Sequence, residues 1–174
     1  KKNSVIESLS KNYKNSYDKT LLNKYKKSLN FRVIGMGGSI LGTQAIYDFL
    51  GNKIKKKFQF INNLDSSFKN KTKKKYVNLI VSKSGNTIET IANVNLFVKK
   101  KDQNIFITEN KKSYLFLLAN KLKSEIVHHN NYIGGRYSVL SEVGMLPAEL
   151  MGLTANNFKN YNNLIKNKYF LNNL

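Results

Sequence analysis

From Phe31 onward the chain alternates two kinds of hydrophobic spacing. Short apolar runs of five or six residues stand at FRVIG (31–35), FQFIN (58–62), VNLIVS (77–82), NIFITE (104–109) and EIVHH (125–129). Such runs, rich in Val, Ile and Phe, read as buried strands. Between them, longer stretches at about 39–50, 64–72, 87–100 and 112–123 read as helices. The third of these puts Ile88, Ile91, Ala92, Val94 and Val98 on a mostly one-sided apolar face. Strand alternating with helix predicts an α/β fold, a parallel sheet covered by helices on both faces. In an open parallel sheet a ligand sits beyond the carboxyl ends of the strands, where strand order reverses; with the order 2-1-3-4-5, the loops after strands one and three flank that crevice.

The ends of the chain carry less pattern. Residues 3–29 are charged and lack Gly and Pro, which allows a helix or a pair of helices with a weak apolar face, packed as an outer layer. The expected division is therefore an amino-terminal helical segment (1–29), a main domain (30–153) and a carboxy-terminal extension (154–174). No internal repeat is visible, and the lysine-rich stretch 69–75 reads as the most flexible connection.

Composition changes the picture in three places. The 174 residues fit one α/β domain with a full core. Net charge is +20, which raises nucleic acid or an anionic membrane surface as a partner. Lysine is scattered through every segment, however, and arginine occurs only at Arg32 and Arg136, whereas a nucleic-acid face uses arginine for bidentate contacts and clusters its charge. The runs KIKKK (53–57) and KTKKK (71–75) are accordingly read as solvated surface, and no specific nucleic-acid partner is expected. Without cysteine there is neither disulfide nor thiol chemistry, and two histidines alone do not make a typical zinc site. No apolar run approaches the roughly 20 residues of a membrane span, and no signal peptide is visible, so a cytoplasmic protein with no membrane partner is expected. The first residues, KKNSV, lack a methionine, which weakens any reading of the amino terminus.

Two loops carry the chemistry. In VIGMGGSILG (33–42) a glycine cluster opens a helix, leaving backbone N–H groups aimed outward at the positive end of the helix dipole. A dinucleotide fingerprint fails because Ile40 holds its last glycine position, and a nucleotide P-loop fails because Thr43 stands where its lysine belongs. What remains is a short anion loop ending in Ser39, whose hydroxyl can cap the helix and bind a ligand oxygen; a purely structural turn is the alternative. The second loop, SKSGNTIET (82–90), offers hydroxyls from Ser82, Ser84 and Thr87, close backbone approach at Gly85 and Asn86, and a cation at Lys83. Together these suit a phosphate monoester. Capping would account for Thr87 but not for Ser82, Lys83 and Ser84.

GMGGSILG (35–42), SKSGNTIET (82–90) and GGRYSVLSEVGMLP (134–147) together resemble the phosphoglucose isomerase family, specifically its amino-terminal sugar isomerase (SIS) domain, over roughly residues 30–153. The resemblance implies a three-layer α/β/α domain with a five-stranded parallel sheet in the order 2-1-3-4-5. It implies interconversion of glucose 6-phosphate and fructose 6-phosphate through an enediol, without a cofactor, by an enzyme that is a homodimer when complete and that serves glycolysis and gluconeogenesis. By the same resemblance Ser39, Ser82, Ser84 and Thr87 hold the phosphate, Ser84 replacing the family's usual threonine. Lys83 and Arg136 face the substrate as catalytic residues, Gly38 and Gly135 belong to the substrate site, and Glu89 supports it. The 154–174 extension then leads towards a second SIS domain.

Proton transfer between C1 and C2 needs a positioned carboxylate and a cation near the developing oxyanion. Arg136 can supply the cation. The family's catalytic glutamate, ring-opening histidine and late lysine belong to motifs not recognisable in this chain, so half an active site is expected. Glu142 and Glu149 are expected to face solvent or an adjacent element, and His128 and His129 to be structural. A non-catalytic sugar-phosphate sensor on the same scaffold is the alternative reading.

Overall fold

The computed structural model describes residues 3–64 and 74–172. Its centre is a five-stranded parallel sheet in the order β2-β1-β3-β4-β5, formed by β1 (Asn30–Ile34), β2 (Lys57–Ile61), β3 (Val77–Val81), β4 (Gln103–Thr108) and β5 (Glu125–His128). Every neighbouring pair is parallel, with Val33 opposite Phe60 on one side and Leu79 on the other. Strand order reverses between β1 and β3, which places the loops after these two strands side by side.

Alternation along the strands divides the core in two. Phe31, Val33, Leu79, Val81, Ile105, Ile107 and Val127 point to one face, under α2 (Lys19–Tyr25), α3 (Leu41–Phe49) and α6 (Glu142–Met151). Ile34, Ile61, Ile80 and Phe106 point to the other, under α4 (Ile88–Phe97) and α5 (Tyr114–Lys121). β3 is buried at every position, as a central strand covered on both faces must be. The remaining helices are short: α1 (Ser4–Ser8) before β1, and α7 (Asn162–Ile165) and α8 (Lys168–Asn172) after α6. The helix expected at 64–72 and most of the lysine run 71–75 lie outside the described residues.

Two sequence expectations change. α4 turns Thr90, Asn93, Val94 and Phe97 inward, while Ile88 is 76% exposed; its apolar face is rotated because two small polar residues, not Ile88, meet the sheet layer. Ser39 does not cap α3: it ends a separate 3-10 turn, Gly37–Ser39, and Ile40 sits at the cap position without a side-chain bond. Glu142, at the start of α6, is buried against adjacent segments, the second of the two placements expected for it. α6 also holds Pro147 in its interior, which deprives the Val143 carbonyl of its helical donor. Thr43 Oγ1 of α3 donates to that carbonyl at 3.4 Å, which supplies a substitute partner for it.

Lysines seal the outer layers. Lys56, from the first basic run, turns back to donate to the Lys26 and Leu150 carbonyls, the latter in the last turn of α6. Lys159, only 1% exposed, donates to Asn15 Oδ1 at 3.2 Å and lies 4.5 Å from the Tyr13 ring centre. Burial pushes its pKa down to about 8, against the opposing pull of Glu142 and Glu149. Between pH 8 and the ordinary lysine range the unfolded chain therefore holds a proton that the folded one has released, and stability rises with pH. The shift corresponds to about 3 kcal/mol over that window. Lys56, also lowered by burial, acts in the same sense. Above pH 10 the trend reverses, because burial raises Tyr13 and Tyr17 and only the unfolded chain ionises there. Urea midpoints for the native chain should climb from pH 8 to 10, and Lys159→Met should flatten most of that climb; an unchanged slope would remove Lys159 as its cause.

Candidate functional site

The site forms where three loops converge at the carboxyl ends of β1, β3 and β5. The first leaves β1 through Gly35. A methyl group at Gly35 would lie 3.0 Å from the Val81 carbonyl oxygen and 3.4 Å from Ser39 Cβ, so Ser39 stands beside the end of β3. Gly38 makes the closest approach: a Cβ there would be 2.3 Å from the Gly135 carbonyl oxygen and 2.7 Å from the Arg136 amide nitrogen. The glycine cluster thus has a packing role, admitting the backbone of the third loop. Ser138 Oγ joins them further, donating to the Gly135 carbonyl at 2.7 Å and the Gly38 carbonyl at 3.4 Å.

The second loop turns sharply between β3 and α4. Gly85 takes φ +65°, a left-handed conformation that glycine adopts without strain. Thr87 occupies the α4 cap position but makes no capping bond; its Oγ1 instead lies 3.0 Å from the buried Ser82 Oγ. Two hydroxyls are thereby paired at the head of a helix, each keeping capacity for a further partner. Ser84 is exposed, and its Oγ accepts from the Asn86 amide at 3.2 Å. Glu89 sits half-buried in the first turn of α4.

Lys83 reaches away from its own loop and into the third. Its Nζ donates to the carbonyls of Asn131 (2.8 Å) and Ile133 (2.9 Å) and lies 3.5 Å from Glu109 Oε1. The ammonium has three donors and three directions. Arg136, by contrast, is exposed within the 3-10 helix Gly135–Leu140 and forms no ion pair or side-chain hydrogen bond among the described residues. Gly135 precedes it with open space where a Cβ would stand. The structure therefore brings Gly38, Ser39, Gly135 and Arg136 together on one side, and Ser82 and Thr87 together in the adjacent loop between β3 and α4.

Behind the third loop lies a buried polar cluster that sequence reasoning had dispersed. His129 Nδ1 is 2.6 Å from Glu142 Oε1, and Nε2 is 3.1 Å from the Ile133 carbonyl oxygen. Glu142 Oε1 also accepts from the Asn130 amide at 2.8 Å, and Oε2 from Tyr13 Oη at 3.2 Å. Burial raises the Glu142 pKa, but the bonds from His129, Asn130 and its own amide outweigh that and hold it below the ordinary carboxylate range. His128, its neighbour in sequence, is exposed. Among the described residues no group of three or more acidic or histidine side chains is placed to hold a metal, and no helix is long and apolar enough to cross a membrane.

The phosphoglucose isomerase family model matches residues 22–172. The chain belongs to that family. Glucose-6-phosphate isomerase of Methanocaldococcus jannaschii is 37% identical over 156 residues, covering 79% of this chain and 37% of the relative. Glucose-6-phosphate isomerase of Acholeplasma laidlawii is 38% identical over 141 residues, covering 70% and 33%. The chain thus spans about a third of the length of these relatives. Among solved structures, a hypothetical protein from Thermus thermophilus superposes with a TM-score of 0.70 at 22% identity, over 84% of this chain and 40% of that one. A tagatose-6-phosphate ketose/aldose isomerase from Escherichia coli superposes at 0.61 with 17% identity, over 80% and 43%. These likenesses show the α/β fold alone.

Proposed function

We propose that this chain supplies the phosphate-binding half of an aldose-ketose isomerase site that interconverts glucose 6-phosphate and fructose 6-phosphate. The observation that carries this reading is the pairing of Ser82 and Thr87 hydroxyls at the head of α4, next to a Ser39 turn whose hydroxyl is not spent on capping. Phosphate oxygens are held there by neutral donors and the α4 dipole, with Ser84 at the rim. Arg136, exposed beside Gly135 and unpaired among the described residues, projects its guanidinium towards the sugar end and meets the charge that develops on the enediolate oxygens. Lys83 acts on the same loop by holding its carbonyls, adding positive potential, and Glu89 supports the turn. No cofactor enters this chemistry.

The domain reading follows: the amino-terminal helices brace the SIS domain of 30–153, and 154–174 runs on beyond it, in an enzyme that is cytoplasmic and homodimeric when complete. A base is the part the described residues do not provide in position. Glu142 is committed to His129, Asn130 and Tyr13, and Glu89 sits on the phosphate side. A positioned general base contributes a factor of about 100 to 10,000. A coupled assay for fructose 6-phosphate formation, run beside the Methanocaldococcus jannaschii relative, should therefore show turnover by the relative and none by this chain. Turnover at a comparable rate would show that a carboxylate or histidine of this chain serves as base.

A further inference from the structure

The carbonyl of Ile133 receives two donors, Lys83 Nζ at 2.9 Å and His129 Nε2 at 3.1 Å. A carbonyl has no proton to give, so Nε2 carries one. On the other side of the ring the Glu142 carboxylate, already accepting from the Asn130 amide and Tyr13, accepts from Nδ1 at 2.6 Å. The ring thus lies between an anionic acceptor on one side and a backbone acceptor on the other. His129 is 3% exposed and has no path of its own to a substrate. What it holds is the turn leading to Gly135 and Arg136. Asn131 and Tyr132 in that turn are exposed and two glycines follow, so Ile133 is its one buried side chain and the polar tie at the Ile133 carbonyl is its other anchor.

We propose that His129 is a positioning residue of the sugar-phosphate site: protonated on both ring nitrogens, it ties Glu142 to the Ile133 carbonyl and so fixes the loop that presents Gly135 and Arg136. The ligand assigned to that loop rests on the function proposed above. The charged and titratable groups around the ring come from five segments: Glu142 with Glu149 beyond it on α6, Tyr13 before α2, Lys83 after β3, Glu109 after β4, and Lys159 from the carboxy-terminal segment. Glu142 is the counter-ion, Lys83 shares the carbonyl, and Lys159 meets the far side of the same carboxylate's field. A buried ion pair of this kind contributes less to stability than to a unique arrangement, which is the role the loop requires.

Nitrogen-15 spectra of the full chain at neutral pH should show an attached proton on both ring nitrogens of His129; one bare nitrogen would overturn the proposal. Glu142→Gln keeps a hydrogen-bond acceptor but removes the counter-ion. It should cost the ring one proton and speed amide exchange at Gly135 and Arg136 about tenfold, while amides of β3 and β4 keep their rates. Unchanged exchange at those two amides would also overturn it. With glucose 6-phosphate as ligand, His129→Asn should weaken binding about tenfold, leave inorganic phosphate within about twofold, and have no further effect once Arg136→Ala is present. Equal losses for both ligands, or additive effects of the two substitutions, would show a general structural role instead. If the native chain bound no sugar phosphate, the proposed function would fall, while the ring protons and amide exchange would still decide the role of His129.

Discussion

Gly38→Ala should separate the first and third loops. The added methyl would enter at 2.3 Å from the Gly135 carbonyl oxygen, 2.4 Å from its carbon and 2.7 Å from the Arg136 nitrogen. All three are backbone atoms, so no side-chain rotation relieves the contact. Overpacking of this kind costs typically about 1 to 3 kcal/mol, and a backbone obstacle puts this case near the upper figure. The consequence reaches function because the atoms displaced are those that set Arg136. Urea denaturation of the variant should show a loss of about 3 kcal/mol, and calorimetric titration should show sugar-phosphate binding abolished. Native stability together with native binding would mean that the loops do not meet at Gly38.

Arg136→Ala should have the opposite profile, large in binding and small in stability. Arg136 is exposed and unpaired among the described residues, so its removal leaves no orphaned partner and should change stability by no more than about 0.5 kcal/mol. Its proposed role is to meet charge on the reacting oxygens. A phosphorylated hydroxamate that mimics the enediolate should therefore bind the variant about 30- to 1000-fold more weakly, the equivalent of about 2 to 4 kcal/mol. Inorganic phosphate, held by Ser39, Ser82, Ser84 and Thr87, should bind as before. Equal affinity of variant and native chain for the mimic would take Arg136 out of the mechanism.

The strands were legible because a central parallel strand such as VNLIV has no polar face to obscure it, and the observed bounds fall within one residue or so of the apolar runs. The loops were legible as turns because glycine and hydroxyl clusters interrupt the apolar pattern directly after a strand. Two kinds of feature were not. The inward face of α4 was misjudged because Thr90 and Asn93 are buried with the apolar residues, and periodicity weighs only the apolar ones. The Glu142 cluster was hidden for a different reason. The sequence leaves Glu142 facing either solvent or an adjacent element, and its companions His129, Tyr13 and Lys159 come from three other segments. Only the fold brings them together. The expectation that His129 is structural agrees with its burial, but nothing in the sequence revealed which carbonyl it holds.

Recognition of a sugar phosphate through its phosphate by the paired loops is decided by the thermal unfolding of this chain with three ligands in parallel. Glucose 6-phosphate at 100 times its dissociation constant should add about 2.7 kcal/mol and raise the midpoint accordingly. Inorganic phosphate should give a smaller rise and glucose none, because the hydroxyls of Ser82 and Thr87 and the head of α4 address the phosphate, not the sugar ring. Stabilisation by glucose equal to that by its phosphate, or none by glucose 6-phosphate at any concentration, would contradict the assignment of these loops.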